Sequence, residues 1–265
     1  MSRSITWLIQ TTPLWDPFSP TFELLTHACL ALGIRCCSID VEIGKPVVFP
    51  HVEGPVVVHG RKTLLEAARQ DPVFQKGIFG DESNFSASQY QAQWGARFLN
   101  AMGEVCTILE ATKNNDRRRL FIKPNDDSKW FTGKVFDCSE FKAFIENQKE
   151  LESVFASQLV FTAPPVEIDA EVRLFLLDGK VISGSYYRPG LNGNISQELI
   201  LFAETAAQEW QPHPVFVLDV ARVDGQYRIV EANGLNGSRF YNANVIRIVD
   251  QISTYQEKVF TSNAQ

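Results

Sequence analysis

The stretch PVFVLDVARVDGQYRIVEANGLNGSRFY, Pro214 to Tyr241, decides how the rest of the chain is read. It holds two apolar runs joined by Asp-Gly, the strongest short-range hairpin signal. Val215 to Val223 reads as one strand and Gln226 to Asn233 as the next. Three polar residues break the apolar pattern: Asp219 in the first run, Glu231 and Asn233 in the second. A carboxylate inside such a sheet is costly unless it is paired or holds a cation. Register decides which groups meet. A two-residue Asp224-Gly225 turn puts Leu218 opposite Glu231 and turns Asp219 away. A three-residue loop, or a bulge, puts Asp219 opposite Glu231 with Asn233 on the same face. Two carboxylates and an amide oxygen would then converge, a donor set suited to Mg²⁺. The competing reading is a hairpin whose Asp and Glu sit at a solvated rim.

Upstream lies a second Asp-Gly hairpin, Glu167 to Leu177 and Lys180 to Arg188. A two-residue turn at Asp178-Gly179 pairs Leu177 with Lys180. In unbroken register Glu171, Arg173, Phe175, Tyr186 and Arg188 then share a face. Two arginines on one face read either as a surface salt-bridge face or as a phosphate clamp, since guanidinium forks match phosphate oxygens. Before it, Leu120 to Pro124 (LFIKP) is a buried-type strand ending in Lys123. A polar loop, Asn125 to Gly133, and a short strand, Lys134 to Phe136, follow. Ser139 is placed to cap a helix carrying Phe141, Phe144, Ile145 and Leu151. Gln158 to Phe161 is another short strand. There is no GxxxxGK[ST] and no GxGxxG, so neither common glycine-rich phosphate loop applies.

The N-terminal part alternates strand and helix, the pattern of an α/β layer. Strands are expected at Ser4 to Gln10, Arg35 to Asp40 and Pro55 to His59, with helices over Pro20 to Leu32 and Thr63 to Arg69. A helix over Ser86 to Asn100 carries Tyr90, Trp94 and Phe98 as a core-facing stripe. Gly103 to Glu110 reads as a strand. Ser196 to Trp210 and Ala243 to Phe260 are amphipathic helices. The polar run Gly80 to Ser88 marks a domain boundary.

Composition bounds the function. The chain has 265 residues, 45% hydrophobic and 21% charged, with net charge −6. That balance suits a globular protein with a sizeable core and gives no general attraction to nucleic acid or membranes. The five cysteines show no CxxC spacing, and with four histidines they argue against a zinc site. No apolar run matches a signal peptide or a membrane span, so the expectation is a soluble cytoplasmic protein.

Taken in order, FIKP (Phe121 to Pro124), FTGKVF (Phe131 to Phe136), QLVF (Gln158 to Phe161), EVRLF (Glu171 to Phe175), LDV (Leu218 to Val220) and VEANG (Val230 to Gly234) resemble the ATP-grasp superfamily. The combination F-I-K-P, E-x-R and E-x-N is most similar to its clade named for two arginines and one lysine. The resemblance implies an α/β (α+β) ATP-grasp fold, two α+β subdomains sandwiching ATP, preceded by a small α/β N-terminal domain. The expected division is 1–85 for the N-terminal domain and 86–265 for the ATP-grasp domain, its subdomains being about 86–157 and 158–265.

The resemblance also implies residue roles. Lys123, Lys129 and Glu171 would bind the nucleotide. Gln158, Leu159 and Val160 would form the hinge whose backbone recognises adenine. Arg173, Arg188 and Lys134 would be catalytic. Asp219, Glu231 and Asn233 would hold Mg²⁺ between ATP phosphates, and Asn236 to Arg239 with Arg61 would lie toward the acceptor. The activity implied is an ATP- and Mg-dependent carboxylate–amine ligase acting through an acyl-phosphate. Two alternatives stand beside it: an ATP-grasp kinase, and a nucleotide-binding module without turnover. The implied partners are ATP, a carboxylate and an amine acceptor.

Overall fold

The computed structural model describes residues 3–11, 20–42, 44–113, 119–126, 131–147, 157–187 and 194–262. Its elements gather into two compact units. One comprises Met1–Gly80, Val172–Leu218 and Asn233–Gln265, the other Asp81–Glu171 and Asp219–Ala232.

In the first unit, β1 (Thr6–Gln10), β2 (Arg35–Ile39) and β3 (Val56–His59) form a parallel sheet in the order β2-β1-β3. Helix α1 (Thr21–Ala31) joins β1 to β2, and α2 (Lys62–Arg69) follows β3. Parallel strands are buried on both faces, which is why β1 reads as a near-continuous apolar run. Ile5, Trp7 and Ile9 enter one core cluster with α1 and the C-terminal helix α7 (Val245–Ser262), while Leu8 enters the other with Val56, Val58 and Leu64. The α/β layer expected from the alternating pattern is present with boundaries within two residues of those expected.

In the second unit, β4 (Glu104–Thr107), β5 (Leu120–Pro124), β6 (Lys134–Phe136) and β7 (Leu159–Ala163) form an antiparallel sheet in the order β4-β7-β5-β6. Helices α4 (Ile108–Lys113) and α5 (Cys138–Glu146) cover one face through Ile108, Ile122, Phe136, Phe141 and Val160. Helix α3 (Ala87–Trp94) supplies Tyr90 and Trp94, and Phe98 follows; all three are buried.

Three local expectations are corrected. The helix expected to reach Asn100 stops at Trp94, because Gly95 takes a φ of 49° that a helix cannot continue. The strand expected over Gly103 to Glu110 turns into α4 at Ile108. Thr107 begins that turn, its hydroxyl accepting from the Glu110 amide while Glu110 accepts from the Thr107 amide. Helix α5 is capped by Asp137 with Glu140 in a reciprocal capping box, not by Ser139.

The remaining sheet has the order β11-β10-β8-β9, built from β8 (Ala170–Leu177), β9 (Lys180–Tyr186), β10 (Val215–Val223) and β11 (Gln226–Asn233). Helix α6 (Gln197–Glu209), capped by the Ser196 hydroxyl, lies between β9 and β10 in sequence. Both Asp-Gly connections are two-residue turns with positive φ at each central residue: 47° and 74° at Asp178-Gly179, 48° and 76° at Asp224-Gly225. These are the signs a type I′ turn requires. The three-residue loop at Asp224-Gly225 is therefore excluded, and a bulge is the way left for Asp219 to stand opposite Glu231. In the β8–β9 hairpin Leu177 pairs with Lys180 as expected, but the register shifts between Phe175 and Leu176. Ser183, not Ile182, then faces Phe175, and Ser185 faces Arg173. The expected face is corrected accordingly: Tyr186 stands opposite Val172, and Tyr187 takes its place beside Arg173.

Candidate nucleotide site

The site in the second unit is built around Lys123. Alternation along β5 sends Ile122 into the α4/α5 core and Lys123 to the opposite face, where it pairs in register with Phe161. Its Nζ lies 2.9 Å from Glu231 Oε2, with the two side chains 14% and 32% exposed. Tyr90 bounds the pair. Its ring centroid is 5.9 Å from Lys123 Nζ, and its hydroxyl donates to the Ala232 carbonyl at 2.8 Å. Leu99 N donates to the Ile229 carbonyl at 2.7 Å, so the segment after α3 holds β11 at a second point. A pocket opens here, lined by Phe85, Tyr90, Lys123, Phe131, Gly133 and Glu231 among others.

The chain returning toward this pocket passes very close to β5. A Cβ at Gly133 would meet Phe121 Cζ at 2.7 Å and Lys123 Cβ at 3.0 Å, so only glycine lets the backbone approach there. On the other side, Asn125 ties the exit of β5 to the start of α3: its carbonyl accepts from Ala87 N at 2.8 Å and its Oδ1 from Ser88 N at 3.2 Å.

The other expected nucleotide residues are distributed unevenly. Lys129 lies outside the described residues. Lys134 is registered opposite Ile122, so its side chain leaves the face of Lys123, and its Nζ sits 5.4 Å from the Phe136 ring. The structure does not bring it to the Lys123–Glu231 pair. At the expected hinge, the Gln158 carbonyl accepts from Ile108 N and the Leu159 carbonyl from Asn125 N, each therefore keeping one lone pair. Gln158 Oε1 is buried without a partner, Val160 is buried and Leu159 is half exposed. Glu171 is partly buried on β8. Asp219 is fully buried, and Asn233, at the end of the strand carrying Glu231, is 4% exposed. Among the described residues no group of three His, Cys, Asp or Glu side chains is placed to hold a metal.

In the first unit, Arg173 is 8% exposed. Its guanidinium carbon lies 4.9 Å from the Tyr187 ring centroid and 5.4 Å from that of Tyr241, and it donates to the Tyr187 hydroxyl and to the Arg239 carbonyl. Cation–π contact and hydrogen bonds together fix the fork. Tyr241 holds a φ of 49°, rare for an aromatic residue and a mark of a position determined by its surroundings. Arg188, the expected second arginine, lies outside the described residues. Sequence reasoning missed Tyr187 because a bulge cannot be seen in an alternating pattern. It missed Tyr90 because a core stripe gives no hint that the hydroxyl has a partner.

The loop Asn233 to Ser238 also needs correction. Asn236 does not face outward toward an acceptor. It is 3% exposed; its Oδ1 accepts from Phe79 N at 2.7 Å and its Nδ2 donates to the Val58 and Gly77 carbonyls at 2.6 and 2.8 Å. His59 is buried beside it. Its Nε2 donates to the Ser238 carbonyl at 3.1 Å, and burial pulls its pKa down to about 4. Arg61 and Arg239 are exposed.

A strand-end lysine facing a hairpin carboxylate, on antiparallel sheets that follow a parallel α/β layer, fits an ATP-grasp fold, the class to which the family model and the solved structures assign the chain. The chain belongs to an ATP-grasp domain family, the third family of the clade named for two arginines and one lysine, whose model matches residues 76–253. No curated protein sequence matches it. Among solved structures it is similar to the D-cycloserine synthetase DcsG, with TM-score 0.61, 16% identity, and 95% of this chain and 99% of that one covered. It is also similar to the ATP-grasp ligase PsnB complexed with precursor peptide PsnA2 and AMPPNP, with TM-score 0.57, 15% identity, and 97% and 98% covered. A third is D-alanyl-alanine synthetase A from Vibrio cholerae, with TM-score 0.58, 13% identity, and 97% and 99% covered. At these identities the likeness is one of fold. No described helix is long and apolar enough to cross a membrane.

Proposed function

We propose that the chain is an ATP- and Mg²⁺-dependent ligase that joins a carboxylate to an amine through an acyl-phosphate. The observation that carries this reading is the sheltered Lys123–Glu231 pair in the pocket beneath Tyr90, inside a domain of the ATP-grasp family. Three structural relatives, two synthetases and a ligase, support it.

Lys123 supplies a positive charge to the nucleotide phosphates, and Gly133 lets the returning chain approach them. Asp219, Glu231 and Asn233 would hold Mg²⁺, with a bulge bringing Asp219 to the face of Glu231. Two carboxylates and an amide are hard oxygen donors of the kind Mg²⁺ takes. Bound there, Mg²⁺ would neutralise charge on the phosphates. Arg173, with its fork already oriented, stabilises charge on the transferred phosphoryl group. A substrate carboxylate oxygen attacks the γ-phosphorus, the new O–P bond forms and ADP leaves. The neutral amine nitrogen then attacks the acyl carbon, the C–N bond forms, the acyl C–O bond breaks, and phosphate leaves carrying the proton the nitrogen gives up. Such chemistry asks for placement and charge neutralisation, with no protein nucleophile.

The test is ADP and phosphate release with pooled carboxylic acids and pooled amines. A ligase releases both products only when acid and amine are present together. Stable phosphate left on a single acceptor would establish a kinase instead, and absence of turnover with undiminished ATP binding would leave a binding module.

A further inference from the structure

The Lys123–Glu231 pair joins two groups that the proposed function assigns to different ligands. Lys123 is given to the phosphates and Glu231 to the cation, yet each holds the other at 2.9 Å. The pair is neither an exposed contact nor free to drift apart. Lys123 is 14% exposed, and its backbone is fixed by pairing with Phe161 on β7. Glu231 precedes Ala232, whose carbonyl is tied to the Tyr90 hydroxyl, and Tyr90 itself lies over the ammonium.

We propose that this ion pair is an internal lock that makes the site select nucleotide accompanied by its divalent cation over bare nucleotide. The inference rests on the nucleotide-site reading above. A bare nucleotide that recruits Lys123 takes it from Glu231 and leaves that carboxylate facing phosphate oxygens of like charge. A cation arriving alone recruits Glu231 and leaves the ammonium beside it. When both arrive, each half of the pair exchanges one partner for another and no charge is stranded. Each ligand therefore relieves a cost the other would meet, and the coupling is reciprocal. Glu231 accordingly acts on nucleotide binding even where no metal is present, as a competitor for Lys123.

Calorimetric titration of the full chain tests this with two probes, ADP in excess EDTA and Mg²⁺ alone. Glu231→Gln should bind bare ADP tighter than wild type, and Lys123→Met should bind Mg²⁺ alone tighter, each by at least about fivefold, the lower end of coupling between linked sites. Wild type should bind ADP at least about tenfold more tightly with Mg²⁺ than in EDTA. A folded variant that binds its probe no tighter than wild type overturns the lock. The two variants report independently, so if one fails to fold the other decides. If wild type binds ADP under neither condition, the nucleotide-site reading falls and the lock with it. If wild type binds ADP with Mg²⁺ and the variants show no gain, the lock alone falls.

Discussion

Removing one amide group, in Asn236→Ala, should destabilise the first unit far more than a loop substitution normally does. The Asn236 side chain is 3% exposed and makes three hydrogen bonds to backbone groups of two separate segments, β3 at Val58 and the stretch from Gly77 to Phe79. Its own carbonyl accepts from Gly60 N at 2.9 Å and survives the substitution. Alanine leaves one amide hydrogen and two carbonyls without this partner. A buried group left unsatisfied costs about 1–3 kcal/mol, the amide near the middle of that range and the carbonyls near its lower end, giving about 4 kcal/mol. At roughly 2–4 °C per kcal/mol for a unit of this size, the melting temperature should fall by about 8–16 °C. Asn236→Asp should be no better, since it places a carboxylate against the Val58 and Gly77 carbonyls. Asn244→Ala is the control: it removes one exposed helix cap, the bond from Arg247 N, at about 1 kcal/mol. Thermal melting followed by circular dichroism reads all three. If Asn236→Ala costs no more than Asn244→Ala, the loop is not held by this side chain and the reasoning fails.

Other perturbations test single contacts. His59 is buried neutral with its pKa lowered from 6.5 to about 4, so the unfolded chain binds the extra proton between those values and stability falls as pH drops from 6.5 toward 4. The loss should approach about 3 kcal/mol, and it should shrink in His59→Asn when denaturation midpoints are compared at about pH 7 and about pH 4.5. His213, lowered in the same direction by burial, leaves a smaller residual slope in that variant. Gly133→Ala should weaken ADP binding measured with Mg²⁺ by about tenfold or more, about 1.4 kcal/mol, because its methyl must displace the Phe121 ring and press on Lys123 Cβ. Affinity equal to wild type would show that the close approach is not needed. Tyr90→Phe should cost about 1–2 kcal/mol in urea denaturation, since it leaves the Ala232 carbonyl without its hydroxyl partner while preserving the ring.

Much of the molecule was legible in its residues because the relevant signals are local. Both Asp-Gly pairs announced hairpins and Asp178-Gly179 a two-residue turn, while the loop length at Asp224-Gly225 stayed open until positive φ at both central residues made it a two-residue turn as well. The apolar run Thr6 to Gln10 announced a strand buried on both faces, and the polar breaks at Lys123, Asp219, Glu231 and Asn233 marked positions where a core strand would otherwise be apolar. What escaped the sequence depends on register or on partners distant along the chain. The shift between Phe175 and Leu176 put Tyr187 rather than Tyr186 beside Arg173, because one extra residue in a ladder reverses every face beyond it. Asn236, set in a small-residue loop, looked available to a ligand until two backbone segments, β3 at Val58 and the stretch from Gly77 to Phe79, closed around it. Lys123 and Glu231 stand 108 residues apart, and only the packing of β11 against Tyr90 and the chain after α3 makes them one ion pair. The sequence by itself determined which charged groups would interrupt apolar strands. The tertiary structure decided which of them neutralise one another, because Coulomb attraction acts through space and the chain order does not record it.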